Sequence, residues 1–496
     1  MSDPIVLRSL LDMTLVNAER VAFDRASVQI SDDAAERISA GRLRFEQFMR
    51  LKGGYVYGST TAPGSRAKRV LSTQESLRHG ETLRSFVPIR SGAGGEMLSD
   101  RCIRLAIFAR LSNSLTGSGK LRASTARAVA DLLHDPPPVP IQGMACSGEV
   151  MPLTWLLAPL ADIPLAMGEA MALINGSPFA TAMACDVSMT TARRLRLAER
   201  IFAKSISAAA CPAAHFDRRL AKLWVDPYYK QCLDDLHELL GDSQRAQLPY
   251  QAPTCWRVLP NVLADAWRAV TEASQAAQIG LQSLKDNPTF IQSDLGSEED
   301  AVLSSGGYHD HRSAKAIDGI NSALLDMCVL ASRQVFHLLD GGLGLPPLLA
   351  AENDGVGMEY LAWGMTGPLA TAARAAKATN LDVSLQDPVG NQSDISSLSF
   401  MAYEKHRELA RAFDTCFAGL AIAATVALQI RSGESIPREA SFLQEIRDSV
   451  HSIARIIDVV GEPVRRATES IRLHADDMRT SQFTHSVFGN VRARRL

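Results

Sequence analysis

Residues 314–339, AKAIDGINSALLDMCVLASRQVFHLL, decide the fold class. Ile317, Ile320, Leu324, Met327, Cys328, Ala331, Val335 and Leu338 recur there at steps of three and four, which puts them on one face of a long helix. Asp340-Gly341-Gly342 and then Pro346-Pro347 end it, because glycine allows the turn that closes a helix and proline cannot continue one. From Ser399 to Arg431 a polar start gives way to the nearly all-apolar Cys416–Leu428, which predicts a second long helix surrounded by others. Segments 191–209, 213–240 and 258–284 also carry the helical period, and alternating β-branched runs are few. The expectation is a mainly α chain, with a loop-rich N-terminal domain over 1–190 and a bundle of long helices, including a C-terminal helical region, over 191–496.

Bulk properties narrow the function classes. At 496 residues and 46% hydrophobic content the chain can bury a large core. Its 52 basic and 54 acidic residues leave a formal charge of -2, so no whole-chain field favours nucleic acid or an anionic membrane. A small molecule or another subunit is the expected partner. The eight cysteines show no CxxC pair or disulfide-like spacing, which fits a reducing compartment. The start, Met1 to Arg8, has no basic segment followed by an apolar core, so a cytoplasmic location is expected. Met151–Ile174 is broken by three prolines and two acids, and Cys416–Leu428 is too short to cross a bilayer, so no membrane span is expected.

Irregular backbone concentrates near the N-terminus, at Gly53-Gly54, Ala62-Pro63-Gly64, Gly92 to Gly95 and Asp135 to Pro138. Loops of this kind often build a site, although solvated surface loops have the same composition. Five segments carry candidate chemistry: Tyr57-Gly58-Ser59-Thr60-Thr61, Ala145-Cys146-Ser147-Gly148-Glu149-Val150-Met151-Pro152-Leu153, Leu173-Ile174-Asn175-Gly176-Ser177, Gln251 to Pro260, and Leu303-Ser304-Ser305-Gly306-Gly307-Tyr308-His309. Read singly, Cys-Ser-Gly and Asn-Gly are ordinary turns. His309-Asp310-His311 has the donors of a zinc site but no further ligand cluster at the right spacing, and reads as a polar helix start.

Taken in order, and with the later Gly344-Leu345-Pro346 and Asn391-Gln392-Ser393-Asp394, these segments resemble the aromatic amino-acid ammonia-lyase and aminomutase family from about residue 10 to 430. The resemblance implies an ammonia-lyase/fumarase-like helical fold and a homotetramer whose active sites are shared between subunits. It implies that Cys146-Ser147-Gly148 closes autocatalytically into a 4-methylidene-imidazol-5-one (MIO), with no metal. The residue types suit that reaction: a glycine amide, unhindered by Cβ, can fold back onto the carbonyl two residues earlier, and serine supplies the hydroxyl that leaves. Cys146, where the family has alanine, keeps its side chain outside the ring.

By the same resemblance Tyr57 removes the substrate's β-proton, Asn175 bonds the prosthetic group or the amine, and Arg257 with Gln251 grips the carboxylate. Tyr308 stands at the aromatic of the family's Ser-Gly-Gly-Asn-Phe-His segment, and Ser393 at a late position that can pair with a cationic side chain. The expected reaction is loss of ammonia from an α-amino acid to give an α,β-unsaturated acid. If ammonia returns at the β-carbon, the enzyme is a 2,3-aminomutase.

The pattern also departs. Thr254 replaces a tyrosine, Gly307 an asparagine, and Thr60 to Gly64 the family's Asn-Thr-Gly-Phe-Gly. These losses motivate a third reading, a non-catalytic relative that binds or assembles. Anchoring on Arg104 to Arg122 places Arg90-Ser91 where the family touches the substrate side chain, so a polar, acidic or non-standard amino acid, or a carboxylated aromatic one, is expected. Ser393 leaves an imidazolium without a partner, which argues against histidine.

Overall fold

The structure is a computed structural model, and it describes residues 3–432 apart from 53, 79, 117–119, 242–247, 249, 294–298, 351–356 and 382–393. The mainly α fold is as expected. The longer helices, in chain order, are α1 (Asp32–Leu51), α2 (Asp100–Leu115), α3 (Pro178–Ala208), α4 (Pro227–Leu240), α5 (Leu259–Gln282), α6 (His311–Leu339), α7 (Glu359–Ala375) and α8 (Ser399–Ser432). Strands are confined, among the described residues, to three short pairs. β1 (Ile5–Leu7) runs parallel to β2 (Val28–Ile30), while β3 (Gly94–Met97) and β4 (Pro140–Gln142), then β5 (Thr289–Ile291) and β6 (Ala301–Leu303), pair antiparallel.

The chain divides into two compact units. The first comprises Met1–Val187, Ala273–Ile317 and Ala378–Glu404. Two segments late in the chain return to it, because their side chains complete its core. Phe290 meets Phe45 edge to face at 5.4 Å and packs with Met49 and Val56, and the Tyr403 hydroxyl donates to Asp186 at 2.6 Å. Each buried phenylalanine contributes about 1.5–3 kcal/mol, and this cluster fastens Val56, hence the Tyr57 loop, to the β5–β6 hairpin. α2 is buried on every face from Cys102 to Leu115. Such a helix can carry an arginine only where the charge finds acceptors, and Arg110 donates to the carbonyls of Asn175 and Ala172.

The second unit comprises Ser188–Glu272, Asp318–Lys377 and Lys405–Leu496. The expected apolar run lies here in α8, with every side chain from Cys416 to Thr425 buried. Phe417 packs on Phe202 and Phe413 at centroid distances of 5.0 and 4.2 Å. Two buried pairings in this interior match their polar groups: Trp267 Nε1 donates to Glu199 at 2.7 Å, and Arg194 pairs with Asp414 at 2.9 Å.

Two helix boundaries differ from expectation. Residues 213–240 are not one helix: short 3-10 turns precede α4, which restarts at Pro227 with Asp226 accepting from the Tyr228 amide at 3.0 Å. Proline fits the first turn and an aspartate caps it, a start signal that outweighs the apolar period. α3 begins at Pro178 instead of 191, for a reason that lies in the site.

Candidate active site

Tyr57 follows α1 on a loop tightened at Val56, whose carbonyl accepts from the Ser59 and Thr60 amides at 3.1 and 2.9 Å. Gly58 makes the turn at φ +68°, and a Cβ there would lie 2.6 Å from Met171 Cε. Only glycine gives both the left-handed backbone and the close approach. The Tyr57 hydroxyl accepts from the Gly64 amide at 2.8 Å. Burial pushes the phenol above its ordinary range, the Gly64 amide pulls it down, and Tyr308 and Tyr55 nearby push it up again.

The tripeptide bends sharply after β4. Cys146 is extended, Gly148 sits at φ 67°, ψ 18°, and Glu149 follows at φ 50°, ψ 30°. A left-handed glutamate costs about 1 kcal/mol or more, and its carboxyl group is what holds it. The two oxygens accept from the Phe179 and Ala180 amides at 2.7 and 2.8 Å, capping the first turn of α3. This cap, with Pro178, explains why α3 starts where it does. Burial raises the Glu149 carboxyl from its usual 4.5 to about 8, against the pull of the two amides and of Lys285.

That shift has a testable sign. The folded chain holds the Glu149 proton where the unfolded chain has lost it, so this group's contribution is intact below about pH 4.5 and declines as pH rises through about 8. Glu149→Gln removes the titration. Between those limits the variant's stability should fall less steeply with pH than the parent's, by at most about 1.4 kcal/mol per pH unit, measured as denaturant midpoints across the range. Parallel slopes would show that Glu149 titrates normally.

Asn175 faces the bend. A Cβ on residue 148 would lie 2.6 Å from Asn175 Oδ1 and 3.2 Å from Tyr308 Cδ2, so Gly148, Asn175 and Tyr308 are in contact range. Asn175 Nδ2 donates to the Asn287 carbonyl at 3.0 Å, and the Gly176 amide donates to the Gly148 carbonyl at 3.1 Å. Asn175 Oδ1 is buried without a hydrogen-bond partner. An acceptor left bare in this way costs about 1–3 kcal/mol and stands ready for a donor delivered to residue 148. Gly148→Ala should place a methyl group against it in a disfavoured backbone region, lowering stability by about 1–3 kcal/mol and leaving the tripeptide open by intact mass. An unchanged midpoint would mean the bend is not as tight as drawn.

One cavity of ≈ 570 Å³ gathers these groups. Tyr57, Ser147, Asn175 and Tyr308 line it, together with Asn287, Ser304, Ser305 and Gly306 from the β5–β6 hairpin. Asn287 Oδ1 accepts from Ser304 Oγ at 2.9 Å and the Ser305 amide at 3.0 Å, fixing that rim. Asp310 lies behind it, pairing with Lys285 at 2.6 Å and capping α6 through the Ser313 amide at 3.0 Å, the helix-start role expected of His309-Asp310-His311.

Other candidates fall elsewhere. Cys146 does not line the cavity; its sulfur lies 3.5 Å from the Met151 amide, and burial pushes the thiol up to about 11. Arg90 does not line the cavity, contrary to expectation. Its Nε donates to the Thr154 carbonyl at 2.9 Å and its guanidinium sits 6.0 Å from the Trp155 ring centroid. Phe86 and Ile89 face the cavity instead, because residues three apart share a face in the 3-10 stretch Arg84–Gly92. Gln251 and Arg257 belong to the second unit, where Gln251 is exposed and Arg257 Nε is buried without an acceptor. Ser393 lies outside the described residues. The sequence reading missed Arg66, Met171 and Asn287, none of which sits inside a recognisable motif.

The tripeptide fits the implied prosthetic group on two counts: residue 148 has no room for a side chain, and a bare buried acceptor faces it. The histidine ammonia-lyase of Vibrio cholerae serotype O1 is 24% identical over 475 residues, covering 88% of this chain and 91% of the relative. The phenylalanine aminomutase of Pantoea agglomerans superposes with a TM-score of 0.83 at 19% identity, over 95% of this chain and all of that one. The ergothioneine-degrading ergothionase of Treponema denticola does so at 0.82 and 15%, over 96% and 100%. The family model described as aromatic amino acid lyase matches residues 13–162 and 157–449, and the chain belongs to that family.

Proposed function

We propose that the chain is an ammonia-lyase that eliminates ammonia from an α-amino acid to give an α,β-unsaturated acid, using a 4-methylidene-imidazol-5-one formed from Cys146-Ser147-Gly148. The observation that carries this reading is the gathering of Tyr57, Ser147 and Asn175 around one cavity, with Gly148 pressed against Asn175. The broader class, ammonia-lyase or aminomutase, follows from the family.

When formed, the group supplies an electron sink that turns the substrate's amine into a leaving group. Tyr57, as the phenolate, takes the β-proton and becomes the neutral phenol; the Gly64 amide, already donating to its oxygen, stabilises the phenolate before that transfer. Asn175 Oδ1 accepts a hydrogen bond from the departing amine. Arg257, whose Nε has no acceptor, holds the substrate carboxylate with Gln251. Tyr308 flanks Gly148 and closes that side of the cavity. The assembly is a homotetramer with shared sites, which gives Arg257 and Gln251 a route to the cavity of another subunit. All eight cysteines are free, in keeping with a cytoplasmic enzyme. Return of ammonia at the β-carbon would make the same site a 2,3-aminomutase.

A panel of amino acids assayed for ammonia release, with β-amino acids followed alongside, tests the reading. Release from at least one member supports it. No release, in protein whose mass shows no loss of water, would favour a non-catalytic relative that binds or assembles.

A further inference from the structure

The cavity has an uneven lining. Phe86, Ile89, Val150, Met171 and Ile174 give it an apolar component beside the hydroxyl and amide side chains already named. Among the described residues lining it, Arg66 is the one permanently charged group, and no carboxylate or histidine lines it. Arg66 is exposed and has no ion-pair partner among the described residues. Its backbone, by contrast, is held in place. Thr61 bridges Val70, the Ala62 amide donates to the Arg69 carbonyl at 3.1 Å, and the Arg69 amide donates to the Arg66 carbonyl at 2.8 Å. The 3-10 turn Gly64–Arg66 also supplies the amide that bonds the Tyr57 hydroxyl. A free guanidinium is therefore carried on the same closed loop as the proposed base, in a cavity whose other lining groups are apolar or neutral polar.

We propose that Arg66 binds an anionic group at the end of the substrate's side chain, so that the preferred substrate is an amino acid with an apolar body and a terminal carboxylate. A planar guanidinium matches a carboxylate in two hydrogen bonds, whereas a cationic side chain would meet repulsion and a purely apolar one would leave the pairing unused. The assignment rests on the preceding reading for the other end of the substrate, where Arg257 takes the α-carboxylate. It replaces the role expected of Arg90, whose guanidinium is committed to Thr154 and Trp155.

Calorimetric titration of the full-length protein with two product-like acids, cinnamate and 4-carboxycinnamate, tests the proposal without requiring turnover. They differ by one carboxylate. The parent should bind the dicarboxylate more tightly by about 10- to 100-fold. Arg66→Ala should erase that gap, and Arg66→Lys should keep part of it. Arg69→Ala, a nearby arginine paired instead with Glu75, should preserve it, which controls for a general loss of positive charge. Equal binding of the two acids by the parent, or a gap that survives Arg66→Ala, would overturn the proposal. A gap that depends on Arg66 in protein that releases no ammonia from any amino acid would remove the lyase reading and leave the anion site standing.

Discussion

Ser147→Ala gives a chain whose measured mass equals that of its own sequence, while the parent weighs about 36 Da less than its sequence, the loss of two waters on ring closure. Ammonia release falls with it by about 10³-fold or more, because an unactivated amine is a poor leaving group. The two readouts separate the possible failures. A parent of unmodified mass would show that the bend at Cys146-Ser147-Gly148 is only a turn. A dehydrated parent with full activity in Ser147→Ala would place the electrophile elsewhere. The substitution is conservative in volume, and Ser147 is half-buried at the cavity wall, so folding should survive it.

Tyr57→Phe is expected to keep the mass loss and remove the base. The ring still packs in its loop, but the oxygen that accepts from Gly64 is gone, and kcat should drop by about 10²- to 10⁴-fold with a smaller change in KM. Retention of kcat would assign the proton transfer to another group, for which Tyr308, across the same cavity, is the nearest candidate. The comparison with Ser147→Ala is informative because one variant should lose the electrophile and keep the base, and the other the reverse.

How far the sequence could be read depended on how local each signal was. The periods at 314–339 and 399–431 report which face is buried, and α6 and α8 occupy nearly those ranges. The residues Tyr57, Ser147, Asn175 and Tyr308 were legible because each sits in a short segment whose chemistry restricts its neighbours, and they meet in one cavity. Arg90 was misplaced because a count along the chain fixes position but not direction: in a 3-10 stretch a step of one residue turns the side chain about a third of the way round. Arg66 and Asn287 were invisible for a different reason. They enter the site through loop closure at Thr61–Val70 and through the β5–β6 hairpin, pairings that leave little trace in composition. Glu149 lay in plain view beside the tripeptide, yet its part depends on Phe179 and Ala180 some thirty residues later.

That last contact ties chemistry to timing. The bend through Gly148 and Glu149 is held by a carboxyl group whose two donors are in place only once the first turn of α3 has formed. A nascent or denatured chain therefore has nothing to keep residues 146–148 curled, and any dehydration there must wait until that helix has been assembled. In a population of molecules, the unreacted fraction would then serve as a tally of chains that never completed this corner of their architecture.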